Sequence, residues 1–213
     1  MNIEKLAHSK INRVADWILR IIVLNGLMIL TMLPIITIFV ALSSGYNMFS
    51  DYVNGKNPPL IKGYIKYFKT HFLKKLGRGL IFIILSFFLF SNIRFYLVGL
   101  ESDQSLIDLI GYYVSIILLV MLLTVMLYSL VVTNVYPKLR LRLFYKMSFF
   151  LAGKYFFKTI MLALVTLIPF IMFLTPFTMM LFIFMGLSIP VMLNVLLTRN
   201  ARHYMESLGE NDD

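Results

Sequence analysis

Cysteine is absent from the 213 residues, tryptophan occurs once, histidine three times, and acidic residues number only ten against twenty basic ones. Without cysteine there can be no disulfide, no thiolate metal site and no cysteine nucleophile, and the redox compartment leaves no mark on the chain. Charged residues make up only 14% of the sequence while apolar ones reach 60%, with a mean hydropathy of +0.84. A soluble domain of this length has no interior large enough to hide that much hydrocarbon, so a bilayer is the expected solvent. The net charge of +10 would otherwise suggest nucleic acid, but the basic residues fall between apolar segments, the usual signature of cytoplasmic loops.

Catalytic motifs are missing as well. There is no Gly-rich phosphate loop, no Gly-x-Ser-x-Gly elbow and no close pair of carboxylates within an apolar run. The histidines, His8, His71 and His203, all lie in polar segments without a Glu or Asp at the spacing of a metal-ligand motif, so a metal site is not expected, nor is a cofactor. The expectation is a non-enzymatic protein.

What the chain does have is long stretches without charge. Thr159 to Thr198 contains 40 residues free of Asp, Glu, Lys, Arg and His, a length that as one helix would be roughly 60 Å, about twice the hydrocarbon thickness. Further charge-free stretches are Ile21 to Ser50, Gly79 to Ile93 (extendable through Arg94 to Leu100) and Leu109 to Pro137. These predict an all-α, polytopic helical membrane protein of about five or six membrane segments, near 21–50, 79–100, 109–137, 159–175 and 177–198, forming a single membrane domain with a polar tail at 199–213. The N-terminal basic residues before an apolar stretch resemble a signal peptide, but that stretch is too long for one and is read as retained.

Orientation follows from the basic residues: four in Met1 to Arg20, seven in Asp51 to Arg78, Arg94 alone in the second loop, six in Lys138 to Lys158, and two in the tail. If 21–50 enters and leaves on one side, 19 of the 20 face inward, the arrangement the positive-inside rule favours, with a cytoplasmic C-terminus. Pro34, mid-segment, fits such a hairpin, because proline removes a helical hydrogen bond and clashes with the preceding turn. A single tilted helix kinked at Pro34 is the alternative. In the last run, a turn near Leu174-Thr175-Pro176 should separate two spans.

Leu60 to Arg78 has helical periodicity of its own. Ile61, Tyr64, Ile65, Phe68, Phe72 and Leu76 form an apolar face, flanked by Lys62, Lys66 and Lys69 on one side and Lys74 and Arg78 on the other. An interfacial helix on the cytoplasmic leaflet is expected, with the lysines near anionic lipid phosphates; a partner-docking surface would use the same residues. A basic, aromatic stretch precedes both the second span (Lys66 to Thr70) and the fourth (Lys154 to Thr159), as either a duplicated unit or ordinary membrane-boundary composition would produce.

Polar residues inside apolar runs are the remaining leads: Asn25, Thr37, Asn92, Arg94, Tyr128, Asn134 and Asn194. For the asparagines, interhelical hydrogen bonding is the reading preferred over ligand contact. Arg94, the one cation inside an expected span, should snorkel to the boundary or pair with Glu101 or Asp103 beyond the helix end, with an anion contact as the alternative.

Asn25, the stretch Leu33-Pro34-Ile35-Ile36-Thr37-Ile38 with Ala41-Leu42, the aromatic and basic run Tyr64 to Lys75, and Val135-Tyr136-Pro137 before a basic loop and an apolar hairpin together resemble the YesL-like integral membrane proteins. The chain departs from that pattern at Leu27-Met28 and Phe39-Val40, where the family commonly has a Leu-Trp pair and a Gly-Pro or similar break. The resemblance covers nearly the whole chain. It implies a small multi-pass protein of the bacterial cytoplasmic membrane, without assigned activity and encoded alongside carbohydrate uptake systems, with sugar ABC transporter subunits as partners. A small permease or channel, dimeric or otherwise self-associated, is the competing expectation.

Overall fold

The computed structural model describes the backbone of residues 3–102 and 105–209, and the side chains of 12–101 and 105–208. Among the described residues there are ten α-helices, a 3-10 turn and no strand. Three helices are long and apolar enough to cross a bilayer, rising to five if each of two bent helix pairs counts as one span. The chain is a polytopic helical membrane protein. It divides into two compact units, Met1–Thr70 with Leu164–Leu196, and His71–Ala163 with Leu197–Asp213.

The first unit is built on a helical hairpin. Helix α1 (Ile3–Met32) stops just before Leu33-Pro34, where a residue preceding proline is pushed out of the helical region and Pro34 has no N–H to give. A 3-10 turn at Ile35–Thr37 reverses the chain into α2 (Ile38–Val53). Thr37 repairs the break, its hydroxyl donating to the carbonyls of Thr31 at 2.6 Å and Pro34 at 2.7 Å. The arms run antiparallel: Gly45 is packed so closely on Met28 that a Cβ there would lie 2.4 Å from the sulfur, and at the far end Trp17 meets Tyr52 edge to face. At 1.5 Å per residue α2 is roughly 24 Å long, short of the ~30 Å hydrocarbon layer. Leu33 and Ile35 at the tip are 73% and 67% exposed, an arrangement stable in lipid and costly in water.

Twelve of the sixteen residues of α2 are buried, including Ser43, Ser44, Gly45, Asn47 and Ser50, so it is enclosed on all sides rather than along one face. Small residues suit that position because they allow close backbone approach, and Ser44 returns its hydroxyl to the Val40 carbonyl at 2.7 Å. Helix α3 (Leu60–Lys69) packs against both arms.

In the second unit, α4 (Phe72–Ser102) runs antiparallel to α5 (Leu106–Val135). Glycines set their separation: a Cβ on Gly111 would lie 2.5 Å from the Tyr96 ring. Helix α6 (Leu141–Lys154) packs on α5, and the chain bends by 102° at Tyr155 into α7 (Phe156–Ile171). The segment expected as a basic loop is therefore helical, with Phe144, Ser148, Leu151 and Ala152 buried at helical spacing. Helices α8 (Pro176–Met185) and α9 (Ser188–Leu197) follow in the first unit, with Thr175 capping α8 ahead of Pro176 as the anticipated turn requires. The expected polar tail instead folds as α10 (Arg199–Gly209) against α5, the Tyr136 hydroxyl donating to the Met205 carbonyl at 2.7 Å.

The expected amphipathic helix over 60–78 is two pieces. It breaks at Thr70-His71, His71 taking a left-handed φ of 54°, so that Lys74 and Arg78 belong to α4. No glycine or proline marks this break, and a non-glycine residue held left-handed carries a cost of roughly 1–2 kcal/mol that packing on either side must offset.

Candidate functional site

In the first unit the polar residues of the spans converge on a break in another helix. The α8–α9 pair bends by 59° around Gly186-Leu187, which disrupts the helical ladder in an apolar medium. Asn25, fully buried on α1, inserts its amide there. Its nitrogen donates to the carbonyls of Phe182 at 2.9 Å and Ile183 at 2.7 Å, while its oxygen accepts from the N–H groups of Leu187 at 2.8 Å and Ser188 at 2.9 Å. The side-chain amide thus replaces the Leu187 to Ile183 ladder bond. Ser188 adds a second tie, its hydroxyl donating to the Ile21 carbonyl at 2.7 Å.

One helical turn or two along α1, Thr31 and the Tyr64 hydroxyl share a hydrogen bond of 2.6 Å, which fixes α3 on the hairpin. Burial pushes the Tyr64 phenol up to about 12, the Thr31 contact drawing it partly back. Because this value lies above the ordinary 10.0, the folded state holds the proton more tightly. The part of the stability that depends on Tyr64 should be constant below pH 10 and fall as pH rises toward about 12. Tyr64→Phe should reduce that fall and lower stability by about 1 kcal/mol at neutral pH, read by unfolding in detergent across pH 7 to 11.

At the open end of the hairpin the Arg20 guanidinium sits 4.3 Å from the Tyr52 ring centre and 5.5 Å from that of Trp17, and donates to Asn57 at 3.0 Å. Tyr52 in turn donates to the Pro58 carbonyl at 3.0 Å, and Tyr67 hydrogen-bonds Asp51. These contacts tie the loop after α2 to α1, beside a cavity of about 260 Å³ lined by Asp16, Arg20, Tyr52, Asn57 and Pro58.

Lys62, Lys66 and Lys69 are exposed along α3, and Lys74 is exposed on α4. Tyr64 turns into the unit while Ile61 and Ile65 stay exposed beside the lysines, the distribution a surface helix at a lipid boundary requires. Changing Lys62, Lys66 and Lys69 together to Glu should reduce binding of the α3 segment to anionic vesicles by tenfold or more, at ~1 kcal/mol per lysine, as measured by vesicle co-sedimentation. Equal binding would remove lipid anchoring as their role.

Arg78 is a correction to the sequence reading. Expected on the lipid-facing flank, it is 1% exposed in the second unit, where Nη2 donates to the carbonyls of Pro137 at 3.1 Å and Leu139 at 2.9 Å, and Nη1 to the Thr133 hydroxyl at 3.4 Å. The guanidinium lies 4.2 Å from the Phe144 ring centre, and the Tyr145 hydroxyl donates to the Arg78 carbonyl at 2.8 Å. A cation here meets the negative end of α5 and the carbonyls of Pro137 and Leu139 in the turn that follows it. Lys75, one turn earlier, is buried as well. Sequence periodicity had put Arg78 on the same flank as Lys74; the signal missed was that Lys75 and Arg78, three apart, share a face.

Of the other intramembrane polar residues, Tyr128 is buried and accepts from the Thr159 hydroxyl at 3.3 Å, which also donates to the Ala152 carbonyl at the α6–α7 bend. Asn92 and Asn134 are half-buried on α4 and α5, and Asn194 is buried on α9. Arg94 is exposed on α4, and among the described residues no ion pair joins it to Glu101; Asp103 lies outside the described residues.

With this geometry in place, residues 21–93 match a family described as protein of unknown function, DUF624. The match spans the hairpin from Ile21, α3 and most of α4, and so includes Asn25, Tyr64 and Arg78. No curated protein and no solved structure matches the chain.

Proposed function

We propose that the protein is a non-catalytic accessory component of a bacterial carbohydrate (ABC-type) uptake system, working through helix packing in the cytoplasmic membrane with its basic loops and C-terminus inside. The similarity to the YesL-like proteins supplies the carbohydrate context. The observation that carries the packing role is the use made of Asn25. A transporter built on a broken helix needs the freed carbonyls and N–H groups of the break for its cargo, whereas here the Asn25 amide occupies them at 2.7–2.9 Å. Arg78 is likewise occupied by the carbonyls of the turn after α5. Polar groups spent this way stiffen a scaffold. The apolar surface available to partners is large: only 6% of the most apolar stretch of α4 is buried, with Ile84, Phe87, Phe88 and Phe95 outward.

Mild-detergent co-purification from the native membrane tests this reading. Recovery of transporter subunits at near-stoichiometric yield is the expected result, while a clean homodimer that mediates solute flux in liposomes would replace the accessory role with a permease.

A further inference from the structure

On the α4 and α5 hairpin, at the end away from Lys74 and Arg78, an open groove of about 480 Å³ is lined by Ser91, Arg94, Phe95, Val98, Gly99 and Asp108. Its walls are apolar, yet it holds one cation and one anion. Asp108 owes its place to Gly99: a Cβ on that glycine would lie 2.7 Å from the carboxylate carbon, so the absence of a side chain lets the acid lie flat against α4. Arg94 lies five residues before Gly99 on α4, roughly 7.5 Å deeper along the axis. No ion pair within 4.0 Å joins the two among the described residues. A lone exposed arginine below the membrane boundary is costly without an anion, and a carboxylate beside it admits an anion only if that molecule also brings a positive charge.

We infer that this groove binds the headgroup of an amine-bearing zwitterionic phospholipid, its phosphate on Arg94 and its ammonium on Asp108. Charge complementarity and depth agree on the assignment. In a bilayer the phosphate lies nearest the acyl chains and the amine reaches outward, the same order as Arg94 and then Asp108 along α4. The acyl chains would run over Phe95 and Val98, which are 70% and 62% exposed. A primary ammonium donates hydrogen bonds to a carboxylate, whereas a choline cannot and a glycerol headgroup brings no positive charge.

The test uses the full chain in mixed micelles holding equimolar dioleoyl phosphatidylethanolamine, phosphatidylcholine and phosphatidylglycerol, with retained lipid read by native mass spectrometry. The parent should retain phosphatidylethanolamine about fivefold over each of the others, the worth of one partly exposed ion pair. Asp108→Asn should abolish that preference while leaving total lipid bound, and Arg94→Gln should lower retention of all three. Arg94→Lys should retain the preference and shows that the groove tolerates substitution. Equal retention of the three lipids by the parent, a preference for phosphatidylglycerol, or a preference unchanged in Asp108→Asn would each overturn the assignment. If the two residues simply pair with each other, the double exchange Arg94→Asp with Asp108→Arg would recover parental thermal stability and no variant would alter lipid retention, which also overturns it.

Discussion

Asn25→Leu should lower the unfolding free energy by about 4–6 kcal/mol, measured by reversible denaturation in mixed detergent micelles. The figure follows from the four hydrogen bonds lost. Interhelical hydrogen bonds in membranes average ~0.6 kcal/mol, and groups stranded in an apolar setting add about 1 kcal/mol or more each. Three groups are stranded here: the Ile183 carbonyl and the N–H groups of Leu187 and Ser188, whereas the Phe182 carbonyl keeps its bond from Gly186 at 2.9 Å. Asn25→Asp separates hydrogen bonding from shape. An ionised carboxylate still accepts from Leu187 and Ser188 but faces the Phe182 and Ile183 carbonyls, so it should be at least as damaging as leucine at neutral pH and milder in acid, where one oxygen carries a proton. A loss below about 0.5 kcal/mol in both variants would mean that α8 and α9 straighten and restore their own ladder, removing the clamp.

Much of this architecture was legible because hydrocarbon solvent leaves coarse marks. Charge-free runs located α4, α5 and the α8–α9 segment, and Pro34 marked a turn whose physical cause, a missing N–H and a restricted preceding residue, acts locally. Asn25 was recognisable as a polar group in need of a partner. That its partner is a break more than 150 residues later was not: Gly186 and Pro190, which has no N–H for the Gly186 carbonyl, mark the bend locally, but nothing in the sequence pairs it with Asn25. Helices α6 and α10 were hidden by their charge: a basic loop and a surface helix have the same composition, and only the burial of Phe144 and Leu151, or of Ala201 and Met205, separates them. The continuous periodicity over 60–78 misled for a related reason. His71 takes a left-handed turn without the glycine that usually announces one, and everything after it rotates onto a different face.

That rotation sets the second large effect. Arg78→Leu should destabilise the protein by about 3–5 kcal/mol in the same denaturation assay, since hydrogen bonds from a charged donor contribute ~1.5–3 kcal/mol each and the carbonyls of Pro137 and Leu139 would lose theirs together. Arg78→Lys retains the charge but not the planar fork that reaches two carbonyls and stacks on Phe144, so about half of the loss should persist. Thr133→Val, which removes only the 3.4 Å contact, should change stability by less than about 1 kcal/mol. Salt distinguishes this role from the headgroup anchoring that the sequence suggested. An anchor at the water boundary weakens as ionic strength rises and accepts lysine in place of arginine, because a screened point charge is all it needs. A guanidinium sealed among carbonyls is beyond the reach of added salt, so the stability gap between the parent and Arg78→Lys should be the same at about 0.05 M and at about 0.5 M salt. If that gap closes at high salt, Arg78 faces lipid phosphates and the end of α5 is held by something else.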